Sequence, residues 1–117
     1  MFIPGETVVH EFIVPIAYNQ IREVIVTYEQ NDHIVLEKKL APANILRDPA
    51  GARLNYTLTQ EESLLFASPR DRNCGFTTYI PYKVQINILT RGGARAVSIP
   101  MEGRTGIQHV REVMTND

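Results

Sequence analysis

The sequence predicts a mainly β fold, a single antiparallel β-sandwich domain over residues 1–117, and three observations lead there. Apolar and polar residues alternate with period two along several segments, as half-buried strands require. Turn residues break those segments, at Pro15, Asn31-Asp32, Pro42, Pro49, Gly51 and Gly92-Gly93. With 117 residues, 44% of them hydrophobic, the chain has the size and composition to bury one core.

The elements follow in chain order. Residues 7–14 read as a first strand, stopped by Pro15, and residues 21–30 as a second, rich in β-branched side chains. Asn31 and Asp32 suit a corner because they tolerate positive φ, and residues 34–40 return from it. A plain two-residue loop there would set Val26 against Glu37, mixing an apolar face with a polar one. A three-residue loop or a bulge is expected instead, with Val26 and Tyr28 on the face of Ile34 and Leu36. Residues 41–52 are loop with one short strand near Ile45, and residues 54–58 are a further strand. Thr59 and Glu62 then have the spacing of a capping box, which opens a short helix plugged into the core by Leu65 or Phe66.

Residues 67–79 form the longest polar stretch, an unusual loop carrying Arg70 and Arg72. The last hairpin runs from Tyr82 to Met101 around Gly92-Gly93, read as a two-residue type I′ turn. That turn pairs Ile88 with Val97, Ile86 with Ile99 and Val84 with Met101. These side chains, with Val24, Val26, Tyr28, Leu36, Leu54, Tyr56 and Leu58, are the expected core. Pro100 has no amide to donate, which places the final strand at a sheet edge. Beyond Gly103, Thr105 and Gln108 again have capping-box spacing, and Ile107, Val110, Val113 and Met114 share one helical side. Residues 104–117 are accordingly expected to be a short C-terminal helix. The whole arrangement reads as an Ig-like sandwich with one short helix between strands and another at the end.

Composition narrows the function classes. A formal net charge of -1 gives no basic excess, so nucleic acid is not an expected partner. No apolar run approaches the ~20 residues of a membrane span, and a membrane is not expected either. The opening Met1-Phe2-Ile3-Pro4-Gly5-Glu6 has neither the basic nor the apolar region of a secretion signal, and synthesis in the cytoplasm is expected. Cys74 is the single cysteine, so no intrachain disulfide forms, and with no histidine near it in sequence it reads as an incidental small apolar residue.

His10, His33 and His109 lack metal-ligand spacing and read as surface or turn residues. Glu61-Glu62 is a carboxylate pair that the helix start already explains. Gly92-Gly93 lacks the flanking pattern of a phosphate loop, and no serine has a nucleophile elbow around it. The expectation is therefore no cofactor, no metal, no catalytic residue and no enzyme activity. Arginines on loops and outward faces (Arg70, Arg72, Arg91, Arg95, Arg104) suit partner recognition, although interspersed charge is the ordinary state of a surface.

Three stretches also carry a resemblance. They are Val24 to Lys38 (VIVTYEQNDHIVLEK), Leu58 to Phe66 (LTQEESLLF) and Val84 to Ala94 (VQINILTRGGA). In this order they resemble small Ig-like structural proteins of tailed bacteriophages and prophages of gut Firmicutes, over residues 21–101. Residues 67–79 and those after Gly103 fit that pattern poorly. The shared positions are strand, turn and cap residues, so the resemblance carries over no site residue. It implies a virion component, in tail, baseplate or head, assembled in the bacterial host cytoplasm and bound to other virion proteins or to copies of itself. The interface expected for it comprises Arg70, Arg72, Arg95, Pro100, Ile107, Val110, Val113 and Met114. The alternative is a free small binding protein, such as a host-factor inhibitor or a carbohydrate-binding attachment module using Tyr18, Tyr79 and Tyr82.

Overall fold

A computed structural model describes residues 1–67, 79–98 and 100–106. The chain is mainly β, and among the described residues there are eight strands: β1 (Val8–Val14), β2 (Ile21–Gln30), β3 (His33–Lys39), β4 (Ile45–Asp48), β5 (Gly51–Leu58), β6 (Ile80–Thr90), β7 (Arg95–Val97) and β8 (Met101–Thr105). An α-helical turn, α1 (Gln60–Ser63), follows β5, and single 3-10 turns precede β2 and β4. The strands form two antiparallel sheets. One has the order β1-β5-β4, and the other β3-β2-β6-β7, with β8 also paired to β6.

Alternation fixes which faces meet. In one sheet Val24, Val26 and Tyr28 of β2 lie opposite Ile88, Ile86 and Val84 of β6, and all six are buried. In the other, Val8, His10, Phe12 and Val14 of β1 lie opposite Leu58, Tyr56, Leu54 and Ala52 of β5. The inward side chains of both sheets form one cluster, to which Phe2 and Phe66 add. Thr59 caps α1 as expected: its hydroxyl accepts from the Glu62 amide, and the Glu62 carboxylate accepts from the Thr59 amide. Phe66 enters the core, while Leu64 and Leu65 remain exposed.

The two hairpins differ in how the expected register fares. At Asn31-Asp32 both residues have positive φ, a two-residue type I′ turn, and Val35 is an extra residue between the Tyr28–Leu36 and Glu29–Ile34 pairs. The expected bulge is present and sets Tyr28 against Leu36. Ile34, however, lies beyond the bulge and faces solvent.

The hairpin after β6 departs from its expectation. The turn has three residues, Arg91-Gly92-Gly93, because Thr90 and Ala94 already pair: the Thr90 amide donates to Ala94 O at 2.8 Å, and the Gly93 amide to Thr90 O at 3.0 Å. Gly93 takes positive φ and Gly92 does not. The extra loop residue slips β7 by one, so Val97 opposes Asn87 and is 54% exposed, while Ile88 opposes Ala96. Val97 is therefore not a core residue, and Ile99 lies outside the described residues. A second irregularity near Pro100 restores the register, and Met101 opposes Val84 as expected. β7 and β8 lie on the far side of β6 from β2, and Pro100 sits at the break between them, at a sheet edge.

The expected helix from residue 104 is corrected at its start. Pairing with β6 runs through Gly103 and Arg104 to Thr105, whose side chain is buried. The Thr105 hydroxyl donates to Ala67 O at 2.7 Å and accepts from Gln30 Nε2 at 3.2 Å, so it caps no helix. Residues 107–117 lie outside the described residues.

Candidate functional site

Of the expected interface residues, Arg95 and Pro100 fall on one sheet edge, both exposed. Arg95 begins β7, and its guanidinium donates to Asn87 Oδ1 at 2.8 Å. Val97 and Met101 are also exposed on this edge, so it presents apolar surface beside a cation. Arg70, Arg72, Ile107, Val110, Val113 and Met114 lie outside the described residues, as does Cys74.

Two open concavities hold stacked arginines. At one end of the β6–β8 pair, Met1, Tyr79, Pro81, Glu102, Gly103 and Arg104 line a hollow of ≈ 570 Å³, with the Arg104 guanidinium 4.3 Å from the Tyr79 ring centre. A second hollow, of ≈ 590 Å³, lies between the turns before β2 and β5, where Arg47 stands 5.3 Å over Tyr18. Tyr18 and Tyr79 are thus exposed, as an attachment surface would need, but Tyr82 is buried.

Sequence reasoning missed a polar cluster inside the molecule. His10 was expected at the surface. It instead joins the sheets, with Nδ1 2.7 Å from the Tyr28 hydroxyl and Nε2 3.2 Å from the Tyr82 hydroxyl. A neutral imidazole has one donor and one acceptor, so one phenol accepts and the other donates. Burial holds the His10 pKa below its ordinary value, and burial raises those of Tyr28 and Tyr82. All three groups therefore stay neutral near pH 7, and the cluster acts as a polar lock within an aromatic core of Phe2, Phe66, Tyr28 and Tyr82. Period two within β1 places His10 on the side of Val8, Phe12 and Val14, which was the available signal.

A neighbouring lock ties α1 to the sheets. The Tyr56 hydroxyl donates to Glu62 Oε2 at 2.7 Å, with Lys38 Nζ 3.9 Å from the same oxygen. Burial works to raise the Glu62 carboxyl but is outweighed by the Thr59 amide, the Tyr56 hydroxyl and the Lys38 ammonium, which hold it below the ordinary carboxylate value. Glu62 thus serves the helix cap, as its position in the sequence suggested.

Among the described residues no group of three or more His, Cys, Asp or Glu side chains is placed to hold a metal ion, and no helix is long and apolar enough to cross a membrane. The fold and these sites define a mainly β protein built of two antiparallel sheets. No family model, curated protein or solved structure matches the chain.

Proposed function

We propose that this chain is an Ig-like module acting through surface contacts as a non-enzymatic structural or accessory component of a bacteriophage virion, in tail, baseplate or head. Strand order supports the Ig-like part. Sheets ordered β1-β5-β4 and β3-β2-β6-β7/β8 correspond to the B-E-D and C′-C-F-G arrangement of that fold. Phe2 adds a parallel bridge to Thr105 beside the last strand.

The observation that carries the surface reading is the placement of apolar side chains outward on strands at sheet edges: Val97 on β7, and Val9 and Ile13 on β1. Exposed apolar side chains of this kind are covered when a strand or loop of a neighbour docks against them. The virion setting rests on the resemblance of residues 21–101, and it makes other virion proteins the natural partners. Quantitative mass spectrometry of purified particles tests it: a fixed copy number relative to the major structural proteins is expected, and absence from particles that lack no other component overturns it. A second reading, an attachment module for sugars, has one observation in its favour: Tyr18 and Tyr79 are exposed beside open hollows. Glycan-array binding lost on Tyr18→Ala or Tyr79→Ala would favour that reading instead.

A further inference from the structure

Among the described residues the sheets have edges at β1, β4, β3 and β7–β8, and the last three carry features that oppose pairing with another chain. β3 is bulged at Val35 and carries Glu37, Lys38 and Lys39. β4 has four residues, two of them Arg47 and Asp48. The β7–β8 edge is interrupted at Pro100. Short length, charge, bulges and proline are the ordinary means of keeping an edge from pairing.

β1 has none of these apart from Glu11. It pairs with β5 in one unbroken register through seven residues, and among the described residues its other side pairs with nothing. Val9 and Ile13 point outward and are 65% and 56% exposed. On the inward face Val8, His10 and Phe12 are only half-buried, whereas the inward residues of β2 are covered.

We infer that the free edge of β1 is a self-association surface, pairing antiparallel with β1 of a second copy about a two-fold axis at Glu11. The choice of a second copy comes from the strand itself. Val8-Val9-His10-Glu11-Phe12-Ile13-Val14 is a palindrome in chemical class. A two-fold at Glu11 sets Val9 against Ile13 of the other copy on the outer face. On the inner face it sets Val8 against Val14 and the His10 ring against Phe12. A self-complementary strip of this kind is what an isologous interface requires. The axis also brings two Glu11 carboxylates together, and each already has an Arg53 guanidinium at 3.7 Å. In each copy this guanidinium, through Nε, offsets part of the repulsion between the two carboxylates. The product is one six-stranded sheet, β4-β5-β1 continued into the other copy. This deepens the surface-contact reading by naming one partner. A chain that stays monomeric yet is present in particles overturns the pairing alone.

Sedimentation equilibrium of the full chain, with cysteine cross-linking, tests it. A monomer–dimer equilibrium in the micromolar to millimolar range is expected. Ile13→Lys, an exposed position, should weaken it roughly tenfold or more with an unchanged melting temperature. In a Cys74→Ser background, Glu11→Cys should form an intermolecular disulfide, because facing residues of antiparallel strands lie within disulfide reach. Val9→Cys should not, since its two copies would stand about 13 Å apart. A monomer throughout the range, a dimer indifferent to Ile13→Lys, or cross-linking through Val9→Cys in place of Glu11→Cys overturns the inference.

Discussion

At single residues, His10 joins the two sheets through hydrogen bonds to Tyr28 and Tyr82. Its pKa lies below the ordinary 6.5, so the unfolded chain takes up the proton first as acid is added. The stability His10 contributes is complete above pH 6.5 and is lost as pH falls toward the lowered folded value. The lowered carboxyls of Glu62 and Asp48 titrate below this window. The melting temperature should therefore fall as pH is lowered from neutral through 6.5, and His10→Gln should flatten that dependence. An equal slope in the variant would contradict the polar lock. Gly103 is the second such position. A Cβ there would overlap the Tyr82 ring and hydroxyl, and Tyr82 cannot swing away while buried and bonded to His10. Gly103→Ala should cost about 1–3 kcal/mol in urea unfolding. A silent substitution would mean that the β6–β8 contact is loose.

Elements were legible where the signal was local. Period two and β-branched residues located β1, β2, β5 and β6 to within a few residues, because each strand shows its buried face in its own composition. The capping box located α1 for the same reason, since Thr59 and Glu62 satisfy each other across three residues. Thr59→Ala should lower stability by about 1 kcal/mol through loss of that acceptor, measured by thermal melts. No loss would mean that Glu62 is held by Tyr56 and Lys38 alone.

Register at the hairpins was less legible. The bulge at Val35 followed from a conflict between faces, which the sequence displays. Gly92-Gly93 fits a two-residue and a three-residue turn equally, and the choice between them moved Val97 from core to surface. The His10 cluster was missed for another reason. Its partners stand 18 and 72 residues away, and only the meeting of two sheets brings them together. Of the expected interface, Arg95 and Pro100 fall on one edge, while Val97 is exposed there because of the slipped register.

The whole molecule is two sheets closed on one core, with strand edges as its outward equipment. Central strands β2, β5 and β6 are paired on both sides, so their amides should be the slowest to exchange. The edge strands present amides on one side only, and their protection depends on what covers them. The claim that this chain works by pairing at its surface, through β1 above all, is tested most directly by residue-resolved amide hydrogen exchange at low and high protein concentration. At both concentrations β2, β5 and β6 should exchange slowly. The β1 amides pointing away from β5 should exchange fast when dilute and become protected when concentrated, while those of β3 and β4 stay unchanged. Protection of β1 that ignores concentration, or a gain confined to β3 or β4, would contradict the account.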